Sequence, residues 1–255
     1  MVFAAVVSQR LSLALGLFSA ALRAPVVSCN LIGVAKVLLL RFAKNEEVNL
    51  IALVLGSASP RRSQLLRQLN LSFDVITPDI DETPIAGEQA CDYASRMSKG
   101  KSVAARHLLE VDAPDALRRN SEVVVLCADT IVVLDNEILC KPRDEEDAVN
   151  MLRRMSNRRH TVVTAVTVSR LADGYEESFS VETEVNFRQV SEQECRKYWL
   201  TGEPQDKSGA YGIQGIGAIF VESIIGSSSN VAGLPLRETA DCLARFGIDC
   251  LAGNE

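Results

Sequence analysis

The chain has 255 residues, enough for one large domain or two small ones. With 47% hydrophobic and 24% charged residues it has an ordinary globular composition, and its net charge of −6 argues against a general nucleic-acid binder. Only two histidines are present, which argues against a histidine-rich metal site and a Ser-His-Asp triad. The seven cysteines form no Cys-x-x-Cys pair, so we expect reduced thiols in an intracellular protein.

Residues 1–48 differ in composition from the rest and are interpreted as an N-terminal extension. The first 45 residues hold five bases and no acid, whereas the remainder holds 22 bases and 33 acids. Three interpretations stay open: an organelle transit-like leader, a dispensable extension from a misassigned start, and a membrane element. Basic residues interrupt the apolar run below the ~20 residues that a spanning helix needs. We expect a cytoplasmic protein without membrane contact, with a mitochondrial or other organellar location as the alternative.

A globular domain is predicted over residues 49–255. The segment "NLIALVLGS" predicts a buried strand, followed by a helix that begins near Ser59 and Pro60. The segment "SFDVITPD" predicts a second strand, and a helix is expected over residues 89–108. The run "SEVVVLCADTIVVLDNEILCKP" predicts two strands joined by a turn at Asp135-Asn136.

Helix caps and alternating strands organise the second half of the domain. Asp144 is predicted to cap one helix, and Ser191 with Glu194 forms a capping box for another. Between them, two strands alternate around a turn at residues 172–174, and a glycine-rich segment leads into a last helix. Strands alternating with helices indicate an α/β fold, and the long central hairpin indicates a mixed sheet.

The helix start at Ser59 to Arg62 is a candidate anion site. Ser59 can cap the helix and Pro60 occupies its first turn, which leaves backbone N–H groups and two arginine side chains facing outward. Helix N-termini and guanidinium groups both bind phosphate. The alternative is a capped helix with two solvated arginines.

Acidic residues follow two of the predicted strands. Asp79, Asp81 and Glu82 lie just after the second strand, where they can hold Mg²⁺, polarise a water or form a solvated acidic turn. Asp129 is expected at the end of a buried apolar strand, where an unpaired acid is costly. A structural ion pair and a functional site are both consistent with that position.

Lysines and a glycine-rich loop complete the set of candidates. Lys141 is able to face a phosphate or water, and Lys99 and Lys101 on the second helix can be surface charges or site residues. In "GAYGIQGIG" the glycines permit close backbone approach, and Gln214 offers an amide that can read a base edge.

Taken together, "GSASPRRSQLL", "DIDETP", "CADTIV", "KPRDEEDAVNML" and "EPQDKSGAYGIQGIGAIF" resemble, in order and spacing, the Maf-type nucleotide pyrophosphatases. The resemblance covers residues 51–246. It implies an α/β, mixed-sheet, two-lobed fold with a central cleft, like that of the inosine triphosphate pyrophosphatases. It also implies hydrolysis of a nucleoside triphosphate to the monophosphate and pyrophosphate, dependent on Mg²⁺ or Mn²⁺.

The resemblance extends to individual residues. It implies that Ser59, Arg61 and Arg62 hold the triphosphate, and that Thr130 and Gln214 contribute to nucleotide recognition. Two acids are implied to bind the metal and activate water, namely Glu82 and Asp129, with Asp129 as the general base. Two lysines are implied to stabilise charge at phosphorus, namely Lys101 and Lys141. The sequence "MSKGKSVA" departs from the usual Ala-x-x-Lys-Ala, which leaves Lys99 as the alternative to Lys101.

Three motifs favour one branch of this family. Ser-Pro-Arg-Arg, Ala-Asp-Thr and Gly-Ile-Gln-Gly are typical of the branch that acts on dTTP, UTP and similar pyrimidine nucleotides, whereas the sister branch carries Trp and Ser-Asp-Gln and prefers 7-methyl-GTP. Two rival functions stay open: a nucleotide-binding regulator of cell division with little catalysis, and a pyrophosphatase for 7-methyl-GTP or another modified nucleotide. The expected partner is a nucleoside triphosphate, without nucleic acid or membrane, and a homodimer is one oligomeric option.

Overall fold

Seven strands form one mixed sheet in the computed structural model, which describes residues 51–112 and 122–251. The strands are β1 (Ile51–Gly56), β2 (Asp74–Ile76), β3 (Glu122–Leu134), β4 (Glu137–Leu139), β5 (Arg159–Arg170), β6 (Glu176–Phe187) and β7 (Val221–Ile225). Their order is β2-β1-β3-β5-β6-β7, with β4 paired to β3. The pairs β1–β2 and β1–β3 are parallel and the others are antiparallel, which confirms the predicted mixed α/β sheet.

Six α-helices and three 3₁₀ helices complete this part of the chain. The α-helices are α1 (Pro60–Gln68), α2 (Ala90–Asp112), α3 (Glu145–Met155), α4 (Glu192–Trp199), α5 (Ser228–Val231) and α6 (Leu236–Arg245). The 3₁₀ helices span Glu203–Asp206, Ser208–Ala210 and Ile216–Phe220. No helix in the two described ranges is both long and apolar enough to cross a membrane. The expected extension, residues 1–48, lies outside those ranges.

Local sequence signals account for several element boundaries. The Asp144 side chain accepts a hydrogen bond from the Asp147 amide at the start of α3, and both halves of the Ser191–Glu194 capping box are present at α4. Asp135 and Asn136 both have positive φ, which is the backbone of a tight turn between β3 and β4. These three predictions are confirmed.

Core residues lie on both faces of the three long strands β3, β5 and β6. Even-numbered residues of β3 from Val124 to Ala128 pack with α1 and α6, whereas Val132 and Leu134 pack with α3, α4 and the adjoining 3₁₀ segments. Odd-numbered residues of β3 pack against α2 on the opposite face. The two core groups on the even-numbered face form two lobes, and they part near Thr130.

The sheet itself is interrupted at the same place. On one edge of β3, β1 pairs only as far as Cys127 and β4 begins pairing only at Val132, while on the other edge β5 pairs without a break. Residues 128–131 of β3 therefore have no strand beside them on one edge in the described part of the chain. The β1–α1 turn borders this gap on one side, and the segment after β4 that contains Lys141 borders it on the other. The gap is the opening of a cleft.

Candidate active site

The cleft has a volume of about 380 Å³, and all nine residues predicted for the site line it. They come from five separate segments: the β1–α1 turn with the first turn of α1, the loop before α2, α2 itself, β3 with the segment that follows the β3–β4 hairpin, and the glycine-rich segment. These residues are Ser59, Arg61, Arg62, Glu82, Lys101, Asp129, Thr130, Lys141 and Gln214. The structure thus brings them together, while their individual roles stay predictions.

Lys101 lies between the two acids. Its Nζ atom is 2.6 Å from Asp129 Oδ1 and 2.7 Å from Glu82 Oε1, and its side chain is largely buried. Lys99, the alternative, is exposed on the same helix. Because Asp129 is an odd-numbered residue of β3, it faces α2 and meets Lys101 there. The prediction that Asp129 ends its strand is wrong: it lies in the middle of β3, opposite Ala165 of β5, where the neighbouring strand β1 has already ended.

Glu82 is held in the cleft by its backbone and by two lysines. The Tyr93 hydroxyl donates to the Glu82 carbonyl at 2.8 Å, and Lys141 Nζ lies 4.0 Å from Glu82 Oε2. Burial alone would raise the pKa of Glu82, but the hydrogen bond and charge of Lys101, assisted by Lys141, lower it below its ordinary value. Glu82 is therefore ionised at neutral pH.

The two arginines have different environments. Arg62 donates from Nε to the Gly233 carbonyl at 2.9 Å, from NH1 to Ser57 Oγ at 3.1 Å and from NH2 to Thr130 Oγ1 at 3.0 Å. Burial lowers the pKa of this guanidinium, while the Asp129 charge raises it, and an arginine stays charged at physiological pH. Arg62 thus joins the N-terminus of α1 to β3 and to the loop at Gly233.

Arg61, by contrast, makes one long ion pair across the cleft, 3.8 Å from Asp206 Oδ2. Its guanidinium is free to turn toward a ligand because that pair is loose and Asp206 is mostly exposed. A Ser59 side-chain cap is not formed, although Ser59 occupies the N-cap position and Pro60 the first turn of α1. The cap prediction for Ser59 is therefore wrong, and the hydrogen bond that the structure gives Ser59 is donated by its backbone amide to Ser57 Oγ at 3.2 Å.

One wall of the cleft is apolar and contains the predicted recognition residues. Tyr211, Ile213 and Val162 line this wall, and Gln214 is exposed beside them. The Tyr211 hydroxyl lies 2.8 Å from Nε2 of the buried His160, and burial lowers the pKa of that imidazole to about 4. Thr130 Oγ1 accepts a hydrogen bond from Arg62 and lies 2.9 Å from Thr164 Oγ1. The Thr130 hydroxyl therefore holds Arg62 against β3 at the base of the cleft.

The sequence analysis missed residues that hold the predicted side chains in place, as well as the apolar wall of the cleft. Ser57 Oγ accepts from Arg62, and the Tyr93 hydroxyl donates to the Glu82 carbonyl. Asp206 pairs with Arg61 across the cleft and with its neighbour Lys207. Tyr93 lies on the same face of α2 as Lys101, eight positions earlier. This helical spacing is the one signal in the sequence that could have indicated Tyr93. The contact of Asp206 with Arg61 joins distant segments, whereas Ser57 lies only five positions from Arg62.

The donor set fits a divalent cation. Residues 51–112 and 122–251 contain no cluster of three or more His, Cys, Asp or Glu side chains that could hold a metal by themselves. Mg²⁺, however, is commonly bound by one or two carboxylates together with substrate phosphates and waters. Glu82 and Asp129, both bound to the same ammonium group and open to the cleft, can supply those two carboxylates.

The cleft brings arginine and lysine side chains together with two carboxylates, and guanidinium and ammonium groups are donors suited to phosphate oxygens. Residues 52–246 match the family described as Maf-like protein, and the chain belongs to that family.

Three relatives each carry the name dTTP/UTP pyrophosphatase. The protein from Vibrio parahaemolyticus is 44% identical over 196 residues, which cover 77% of this chain and 97% of the relative. That from Myxococcus xanthus is 49% identical over 198 residues (77% and 93%), and that from Colwellia psychrerythraea is 45% identical over 210 residues (81% and 95%). The structure of the Staphylococcus aureus Ham1 protein aligns with 80% of this chain and all of its own at 15% identity, and its TM-score of 0.38 is too low to support any inference.

Proposed function

We propose that the protein hydrolyses nucleoside triphosphates, chiefly dTTP, UTP and related pyrimidine nucleotides, to the monophosphate and pyrophosphate with the help of a divalent cation. The observation that carries this proposal is the meeting of Lys101 with both Glu82 and Asp129 in a cleft that also contains Arg61 and Lys141. The names of the three relatives support the same reaction. The proposed domain covers residues 49–255.

In the proposed reaction, Arg61, Lys101 and Lys141 bind the phosphate oxygens and neutralise the charge that develops during the reaction. Asp129 accepts a proton from a water whose oxygen attacks the α-phosphorus. The bond from that phosphorus to the oxygen bridging it to the β-phosphorus breaks, and pyrophosphate leaves. A divalent cation held by Glu82 and Asp129 would supply further neutralisation of the phosphates and polarise the α-phosphoryl group.

The apolar wall is proposed to receive the nucleoside. Tyr211 and Ile213 offer a surface for a base and sugar, and the Gln214 amide, which makes no side-chain hydrogen bond within the described residues, is free to read a base edge. In this proposal the nucleoside and the triphosphate lie at opposite ends of one cleft. Thr130 contributes to recognition by supporting Arg62 rather than by facing the base.

The test is a panel of nucleotides assayed for pyrophosphate and phosphate with Mg²⁺ or Mn²⁺. We expect pyrophosphate from dTTP and UTP, slow turnover of 7-methyl-GTP, and loss of about 10²–10³ or more in rate for Asp129→Asn with an unchanged thermal melt. Lys99→Met is the matched control, because Lys99 is exposed on the same helix as Lys101.

Two outcomes would overturn the proposal. Tight nucleotide binding without product would support the regulator, and preferred turnover of 7-methyl-GTP would assign the chain to the sister branch.

A cytoplasmic location is proposed as well. Enrichment of the full chain in an organelle fraction, lost when residues 1–48 are deleted, would contradict it.

A further inference from the structure

The charges around Lys101 balance within the protein itself. Lys101 contacts Asp129 and Glu82 at 2.6 and 2.7 Å, and Lys141 lies 4.0 Å from the second oxygen of Glu82. These two acids and two lysines carry no net charge among themselves, and the Arg62 guanidinium adds a positive charge that acts on both acids. Asp129 and Lys101 are mostly buried, with side-chain exposures of 13% each, so solvent screens this pair only weakly.

A free divalent cation meets an obstacle at this cluster. To bind both carboxylates it must either displace the Lys101 ammonium group or remain beside a like charge a few ångströms away. Both courses oppose binding, because each carboxylate already has a hydrogen-bonded counter-ion. Without nucleotide, the negative charges of Glu82 and Asp129 are already neutralised by Lys101, so we expect these carboxylates to bind the cation weakly.

A nucleoside triphosphate changes this balance. Its phosphate oxygens accept hydrogen bonds from lysine ammonium groups, and a lysine side chain is flexible enough to turn from a carboxylate toward a phosphate. Lys141, which is 63% exposed, is already open to the cleft. Once Lys101 has a phosphate partner, the carboxylate oxygens are released for the cation.

We propose that Lys101 is an internal counter-ion that makes divalent-cation binding depend on nucleotide binding. This inference rests on the proposed function, because it needs a triphosphate in the cleft. It adds that cation and nucleotide raise each other's affinity, since coupling between two bound ligands is reciprocal. It also gives Lys101 a positioning role before any charge develops at phosphorus.

The first experiment measures Mn²⁺ binding by titration calorimetry without nucleotide. Lys101→Met should bind Mn²⁺ about 5–150-fold more tightly than the unmodified protein, the range typical of coupled sites. Lys99→Met, on the same helix but exposed, should bind as the unmodified protein does. Equal Mn²⁺ affinity in Lys101→Met and the unmodified protein would overturn the inference.

The second experiment needs no variant, so it remains informative if Lys101→Met fails to fold. Mn²⁺ is titrated into the unmodified protein with and without the α,β-methylene analogue of dTTP, after subtraction of Mn²⁺ bound to free analogue. We expect a gain of similar size with the analogue present and, if Lys101→Met folds, a smaller gain in that variant, because direct coordination of Mn²⁺ by the phosphates contributes equally in both proteins. No gain would overturn the inference, even if the protein releases pyrophosphate from dTTP. A gain with the analogue, in a protein that releases no pyrophosphate from dTTP, would contradict the proposed function alone.

Discussion

Replacing Arg62 by Met tests whether Arg62 stabilises the fold while its neighbour Arg61 binds phosphate. The change keeps an apolar stem but removes the three hydrogen bonds to Gly233, Ser57 and Thr130. Hydrogen bonds to charged groups contribute about 1.5–3 kcal/mol each, but three on one side chain are not additive, so we expect a loss of about 3 kcal/mol in the free energy of unfolding. For a domain of this size the loss corresponds to a melting temperature about 6–12 °C lower.

Arg61→Met is the matched control. Its 3.8 Å contact with the exposed Asp206 contributes at most about 1 kcal/mol, so the melting temperature should fall by no more than about 4 °C. Its kcat/KM should nevertheless fall by about 10²–10³, because Arg61 is the arginine that is free to bind phosphate. Calorimetric melts and steady-state kinetics on both variants decide the matter. Equal melting temperatures for the two variants would refute the reasoning.

Two further predictions concern side chains behind the cleft. Tyr93→Phe removes the hydrogen bond to the Glu82 carbonyl and should lower kcat about tenfold with little change in KM; unchanged kinetics would show that Glu82 is positioned by other contacts. For His160, burial keeps the folded-state pKa near 4 against an ordinary value of 6.5, so the unfolded chain binds the extra proton between these pH values and stability falls as the pH drops through them. At about 1.4 kcal/mol per pH unit the loss reaches about 3 kcal/mol by pH 4. Urea unfolding at pH 7 and pH 5 should show this fall in the unmodified protein and a shallower one in His160→Gln, and identical pH dependence in both would contradict it.

Local structure was largely predictable because its signals are local. The Asp135-Asn136 turn, the Asp144 cap and the Ser191–Glu194 capping box each depend on residues a few positions apart. The resemblance of several ordered motifs to the Maf-type family then identified nine of the residues that line the cleft. No single motif was sufficient for this.

The rest depends on how distant segments meet. Asp129 lies within β3 because β5 pairs with β3 as far as Val133, and the sequence of β3 itself contains no sign of that partner. Arg62 carries a suitable side chain for binding phosphate, yet its Nε donates to the Gly233 carbonyl, 171 positions away in the chain. Lys101 is distinguished from Lys99 only by the side of α2 that packs on the sheet.

The most direct test of the central claim follows the oxygen atom of the attacking water. Hydrolysis of dTTP in ¹⁸O-labelled water, with products resolved by mass spectrometry, reveals which phosphorus is attacked. Attack at the α-phosphorus by a water that Asp129 deprotonates predicts one ¹⁸O atom in the nucleoside monophosphate and none in the pyrophosphate. Label in pyrophosphate, or label in free phosphate with release of the diphosphate, would contradict the account.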